Sequence, residues 1–135
     1  MTKLTGSLDT NVVLRLLLND IPEQHMAAKK LVEQARGQLA VADTVVIEVV
    51  FALNRYYGFS RSQIAEAVAG FMEFQEISCN RALFERALPL YVDRPGLSFE
   101  DCCLTMYAQL NDAVPLWTFD RKLAKQAPNT KLVAA

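Results

Sequence analysis

The sequence predicts an α/β fold: a three-layer α/β/α sandwich, with a central parallel sheet covered by helices on both faces. Three observations predict it. Short apolar segments of strand length alternate with helix-period stretches, most of ten residues or more, as parallel strands joined by crossover helices do. The 135 residues are 52% hydrophobic and 21% charged, enough for a real core and too apolar for disorder. No repeat, low-complexity tract or linker divides them, so 1–135 reads as a single domain.

The elements follow in order. A strand over 3–8 runs into Asp9-Thr10-Asn11, residue types that satisfy the free N–H groups of a first helical turn. A helix over 11–19 follows. Asn19-Asp20-Ile21-Pro22 interrupts it, and Pro22 suits the first turn of the next helix, 22–36. Met26, Ala27, Leu31, Val32 and Ala35 recur there at helical spacing, and Gly37 fits a C′ stop. A second strand spans 38–41. A helix over 43–57, opened by Asp43 or Thr44, ends near Gly58, and Ser60 caps another over 61–73. A strand at 75–79 leads to Asn80 and a helix over 81–92. Arg94-Pro95-Gly96 makes a turn before a helix over 99–110. The last elements are a strand at 113–117, a helix at 120–126 and a strand at 131–133. Pro115 belongs at a strand start or bulge, since it cannot donate to a ladder.

Right-handed crossovers bring the carboxyl ends of parallel strands to one rim, where ligands bind in such sheets. Asp9 ends the first strand and Asp120 the fourth. Each alone has a plain explanation as a helix N-cap. Glu48 lies in Val45-Val46-Ile47-Glu48-Val49-Val50-Phe51-Ala52, where its helical neighbours offer no basic partner. An unpaired carboxylate among apolar side chains is costly, so it must reach a cation, a donor or water. Asp101 follows Ser98 at capping-box spacing, which alone would explain it. Glu100, beside it, reads either as solvent-facing or as a support behind the other acids. Acids gathered on one rim repel one another and call for a compensating cation. Hard divalent ions take oxygen ligands, and Mg²⁺ also bridges carboxylates to phosphate oxygens. Such ions support in-line displacement at a phosphodiester.

The formal net charge is −1, which excludes a bulk polycation. Arg15, Arg121 and Lys122 are the basic residues near the rim that could meet the phosphates of a ligand, although a solvated face explains each. Tyr56, Tyr57 and Phe59 suit either base stacking or cover for a helix corner, and the corner is favoured. The only histidine, His25, receives no role. Cys79, Cys102 and Cys103 have neither the number nor the spacing of a disulfide framework or zinc site, and read as small core residues of a reducing compartment. No apolar run is long enough to span a membrane, so a soluble, cytoplasmic protein is expected.

On these residues the chain resembles the PIN-domain nucleases, and within them the VapC-like toxins of bacterial toxin–antitoxin pairs. The matching pieces are Leu8-Asp9-Thr10-Asn11, Glu48 in its apolar helix, Phe99-Glu100-Asp101, and Thr118-Phe119-Asp120-Arg121-Lys122-Leu123. The resemblance implies a sheet of order 3-2-1-4-5. It implies that Asp9, Glu48, Asp101 and Asp120 bind Mg²⁺ or Mn²⁺, with Asn11 and Thr118 orienting them. The implied activity is endoribonuclease cleavage of RNA by an activated water. The implied partners are an RNA substrate, a cognate antitoxin and a second copy in a homodimer. Cys102 and Cys103 stand where small aliphatic residues are more usual, and Glu100 is an extra acid. Three other readings compete: a phospho-receiver-like signalling domain, a haloacid-dehalogenase-type phosphatase, which would want an aspartate where Asn11 stands, and a non-catalytic scaffold of the same fold. A receiver would need its acceptor aspartate after a middle strand, where Cys79-Asn80 stands. A scaffold would have no use for four mutually repelling acids.

Overall fold

A computed structural model describes residues 3–134. The described residues form two compact units, divided between Asn80 and Arg81.

The first unit holds three short parallel strands in the order β1-β2-β3: β1 (Leu4–Ser7), β2 (Gln38–Ala40) and β3 (Ile77–Ser78). Leu39 pairs with both Gly6 and Ile77, which fixes the register across the ladder. Four helices accompany the strands: α1 (Thr10–Leu17), α2 (Pro22–Glu33), α3 (Asp43–Arg55) and α4 (Arg61–Met72). Their apolar stripes meet in a core of Val13, Val49, Val50, Leu53, Ile64 and Ile77, all almost fully buried. Burying side chains of this size contributes about 1.5–3 kcal/mol each. Pro22 opens α2 as expected, and Ser60 forms a full capping box with Gln63 at α4.

Some local expectations are corrected. Helix α2 stops at Glu33, capped by Gln34, so Gly37 is no helix stop. A Cβ at Gly37 would run into the Lys3 carbonyl oxygen, which accepts from Gln38 N at 2.8 Å. The glycine is there because β1 and β2 approach closely. Helix α3 begins after Ala42 without a side-chain cap; Asp43 instead accepts from Asn80 Nδ2 at 3.3 Å.

The second unit holds α5 (Arg81–Asp93), α6 (Phe99–Leu110), β4 (Leu116–Thr118), α7 (Arg121–Gln126) and β5 (Thr130–Leu132). Helices α5 and α6 are fastened by aromatic rings. Phe99 stacks on Phe84 with centroids 6.0 Å apart and meets Tyr91 edge-on at 5.4 Å. Cys102 and Cys103 lie in this core, so the small hydrophobe reading of both was correct. Pro89 lies inside α5, where it forgoes one helical hydrogen bond, yet the helix continues to Asp93. Strands β4 and β5 are parallel, with Trp117 opposite Lys131 and α7 between them in sequence. Pro115 falls just before β4, outside its ladder.

The fold class is therefore α/β with parallel strands, as predicted. The strand order departs in one respect. The expected continuous order 3-2-1-4-5 resolves as a three-stranded and a separate two-stranded ladder among the described residues. The strands are only two to four residues long, which leaves few backbone groups to join a wider sheet.

Candidate functional site

In the first unit the site grows from the end of β1. Leu8 is buried and its N–H donates to Ala40 O at 2.9 Å, extending the pairing with β2. The next residue, Asp9, leaves the sheet and caps α1: its Oδ1 accepts from Val12 N at 3.0 Å. One carboxylate oxygen serves the helix, and the residue remains exposed. Thr10, the first residue of α1, donates its hydroxyl to Glu48 Oε2 at 3.0 Å. Glu48 thus finds the donor its apolar surroundings required. It is exposed at the edge of the α3 apolar face rather than buried within it. Asn11 follows, also exposed.

In the second unit the same construction appears once, at Asp120. Asp120 caps α7, its Oδ1 accepting from Lys122 N at 2.9 Å and Leu123 N at 3.1 Å. Thr118, at the end of β4, fixes the approach by accepting from Asp120 N at 2.9 Å. Arg121 and Lys122 are exposed in the first turn of α7. Asp101 is different. Ser98 caps α6 by accepting from Asp101 N at 3.1 Å, and the Thr105 hydroxyl donates to Asp101 O at 2.8 Å. Both bonds use Asp101 backbone atoms. The reciprocal half of the expected capping box, present at Ser60–Gln63, is not made at Ser98–Asp101. The half-buried Asp101 carboxylate is therefore not explained by the helix start. Glu100 is exposed beside it.

Among the described residues none of the four acids forms an ion pair of the kind that joins Arg15 to Asp20. Each unit carries two of the four. Among the described residues, no group of three or more His, Cys, Asp or Glu side chains gathers in a way that could hold a metal ion. The donor set itself is carboxylate, hydroxyl and amide oxygen, with neither imidazole nor thiol. That chemistry fits Mg²⁺ or Mn²⁺ and not a zinc site.

The structure corrects the reading of Arg15 and finds a network that sequence reasoning missed. Arg15 is buried, not on a solvated face. Its Nη1 pairs with Asp20 Oδ2 at 3.2 Å and its Nη2 donates to Tyr57 Oη at 2.9 Å. Tyr57 Oη in turn donates to Asp20 Oδ2 at 3.1 Å. His25 Nδ1 lies 2.8 Å from Arg15 O, which gives this histidine a local structural contact. The available signal was an arginine inside the apolar run Val12 to Leu18, which demands a buried partner. Tyr56, by contrast, is 72% exposed and does not cover the corner after α3.

An alternating α/β chain that carries exposed or half-buried acids after its strands and within its helices fits a nuclease fold. Comparison with known proteins agrees: the sequence profile of the PIN domain matches residues 7–128. The chain belongs to the PIN-domain family, a nuclease fold. No curated protein sequence matches it significantly. No helix among the described residues is long and apolar enough to cross a membrane.

Proposed function

We propose that this protein is a Mg²⁺- or Mn²⁺-dependent endoribonuclease, the VapC-like toxin of a toxin–antitoxin pair. In this reading Asp9, Glu48, Asp101 and Asp120 are the metal ligands. Thr118 orients Asp120 through its backbone, and Asn11 supports the shell beside Asp9. The ion supplies water activation and charge neutralisation for in-line displacement at an RNA phosphodiester. The chain's own contribution is orientation: helix N–H groups hold one oxygen of Asp9 and of Asp120, and Thr10 holds one oxygen of Glu48. Arg121 and Lys122, exposed in the first turn of α7, are the residues offered to RNA phosphates; Arg15, buried against Asp20 and Tyr57, is not. A cognate antitoxin masks the acids, the active form is a homodimer, and the setting is the cytoplasm.

The observation that carries this reading is Asp101. Its helix start is satisfied by Ser98, no cation pairs with it, and yet a half-buried carboxylate is kept. The test is RNA cleavage by wild type, Asp101→Asn and Glu66→Gln, with and without chelator. Asp101→Asn should fold, bind metal weakly and cut at least about 100-fold more slowly, as for loss of one strong electrostatic contribution. Glu66→Gln, on the exposed face of α4, should match wild type. Equal cleavage by all three would overturn the assignment. Induced expression with mapping of new RNA ends tests the toxin role: growth arrest with a dominant cut site supports it, and normal growth overturns it.

A further inference from the structure

The cleft beside Glu48 carries chemistry that the four acids leave unused. Helix α3 presents Glu48, Phe51, Ala52 and, just past its end, Tyr56 at spacings of three, four and eight residues, which is one helical face. Phe51 is 57% and Tyr56 72% exposed, and their rings meet edge to face with centroids 6.1 Å apart. An exposed aromatic pair on a helix already well buried on its other side contributes little to the core. The rings border a cleft of about 500 Å³ that also contacts Thr10, Glu48, Arg15 and Tyr57. That size lies within the range of about 300–1,000 Å³ typical of small-ligand sites.

The cleft is built rather than incidental. Gly58, with φ +67°, turns the chain sharply after α3, and Phe59 N donates back to Leu53 O at 3.0 Å. This turn sets Tyr56 and Tyr57 beside the cleft. Tyr57 is pinned by Arg15 and Asp20, so one wall has a fixed guanidinium and phenol. The Arg15 side chain is nine-tenths buried, and its Nε has no hydrogen-bond partner among the described residues. The Thr10–Glu48 hydrogen bond also borders the cleft.

We propose that this cleft is a nucleobase subsite, in which a base flanking the scissile phosphate stacks on Tyr56 and Phe51. The inference rests on the proposed ribonuclease reading, because that reading places an RNA phosphate beside Glu48. Aromatic rings take any base by its π-face, and Arg15, held by Asp20 and Tyr57, keeps the neighbouring wall fixed. A polypeptide occupant is less well matched: the rings rim a concavity with a carboxylate and a guanidinium in its walls, not a broad apolar strip. The subsite thus supplies affinity that a chain of net charge −1 cannot draw from its overall field.

The test uses short RNA oligonucleotides with 2-aminopurine at successive positions, titrated in chelator so that binding is read without turnover. Wild type should quench the probe at one position. Tyr56→Ala and Phe51→Ala should remove that quenching and raise Kd about 5- to 100-fold, while Tyr56→Phe retains both. Unchanged quenching and Kd in both alanine variants would overturn the subsite. So would a change of oligomeric state in Tyr56→Ala on gel filtration, since the ring would then face a second copy. Absence of RNA binding by wild type would also overturn it. Cleavage of the same samples with Mg²⁺ separates the two proposals. Position-specific quenching without cutting refutes the hydrolase and keeps the subsite; cutting that ignores Tyr56→Ala and Phe51→Ala refutes the subsite alone.

Discussion

Thr10 Oγ1 lies 3.0 Å from Glu48 Oε2 and donates to it, tying the first residue of α1 to the middle of α3. A residue next to one acid therefore orients another. Replacing Thr10 by Val keeps the shape and removes the donor. Metal affinity, read by calorimetric titration, should fall about 10- to 100-fold, as for loss of an outer hydrogen bond to a ligand, and Thr10→Ser should restore it. Equal affinity in Thr10→Val would mean that Glu48 does not need this bond.

The caps separate stability from chemistry. Asn caps a helix about as well as Asp. Asp9→Asn should therefore unfold within about 0.5 kcal/mol of wild type, while Asp9→Ala should cost about 0.5–2 kcal/mol. Both should lose metal binding. Urea midpoints together with Mn²⁺ titration check the pair, and retained binding in Asp9→Asn would remove Asp9 from the ligand set. Asp120, whose Oδ1 accepts from two N–H groups, should behave in the same way.

Few basic residues are available to RNA. If Arg121 and Lys122 make the phosphate contacts, the plot of log affinity against log salt for single-stranded RNA should have a slope of about −1.4. A slope steeper than about −4 would require a basic surface not identified among these residues.

The aromatic fastening of α5 to α6 sets the stability of the second unit. Phe84 is fully buried against Phe99. Phe84→Ala should cost about 3–5 kcal/mol, and Tyr107→Ala, on the exposed face of α6, about 0.5 kcal/mol or less. Chemical denaturation of both variants checks the contrast.

Removing the phenol that holds Arg15 should also be felt. Tyr57→Phe leaves Nη2 of a buried guanidinium without its acceptor. A loss of about 1–3 kcal/mol is expected, measured as a lowered urea midpoint. No loss would show that water replaces the phenol.

The elements were largely legible in the sequence because local signals agreed with the fold. Pro22, Ser60 and Ser98 mark helix starts by their own chemistry, and the periodic runs between them are long. What was hidden depended on contacts between distant segments. Gly37 looked like a helix stop until the Lys3 carbonyl stood against it. Arg15 looked solvated because Tyr57, forty-two residues away, gives no sequence sign of being its partner. The acids could be named, since an acid in an apolar helix or at a strand end is locally odd. The division of the pairing into two ladders could not, because strands this short carry too little pattern to say which neighbour they choose.

The half-made capping box at α6 has an evolutionary corollary. Aspartates 9 and 120 would be retained by selection for shape alone, whether or not any chemistry survived. Asp101 has no such insurance, because Ser98 already serves its helix. On the proposed reading, a descendant that had stopped cutting and lived on as a binding protein would lose this aspartate first. Among related chains, position 101 is thus the place to look when telling working enzymes from retired ones.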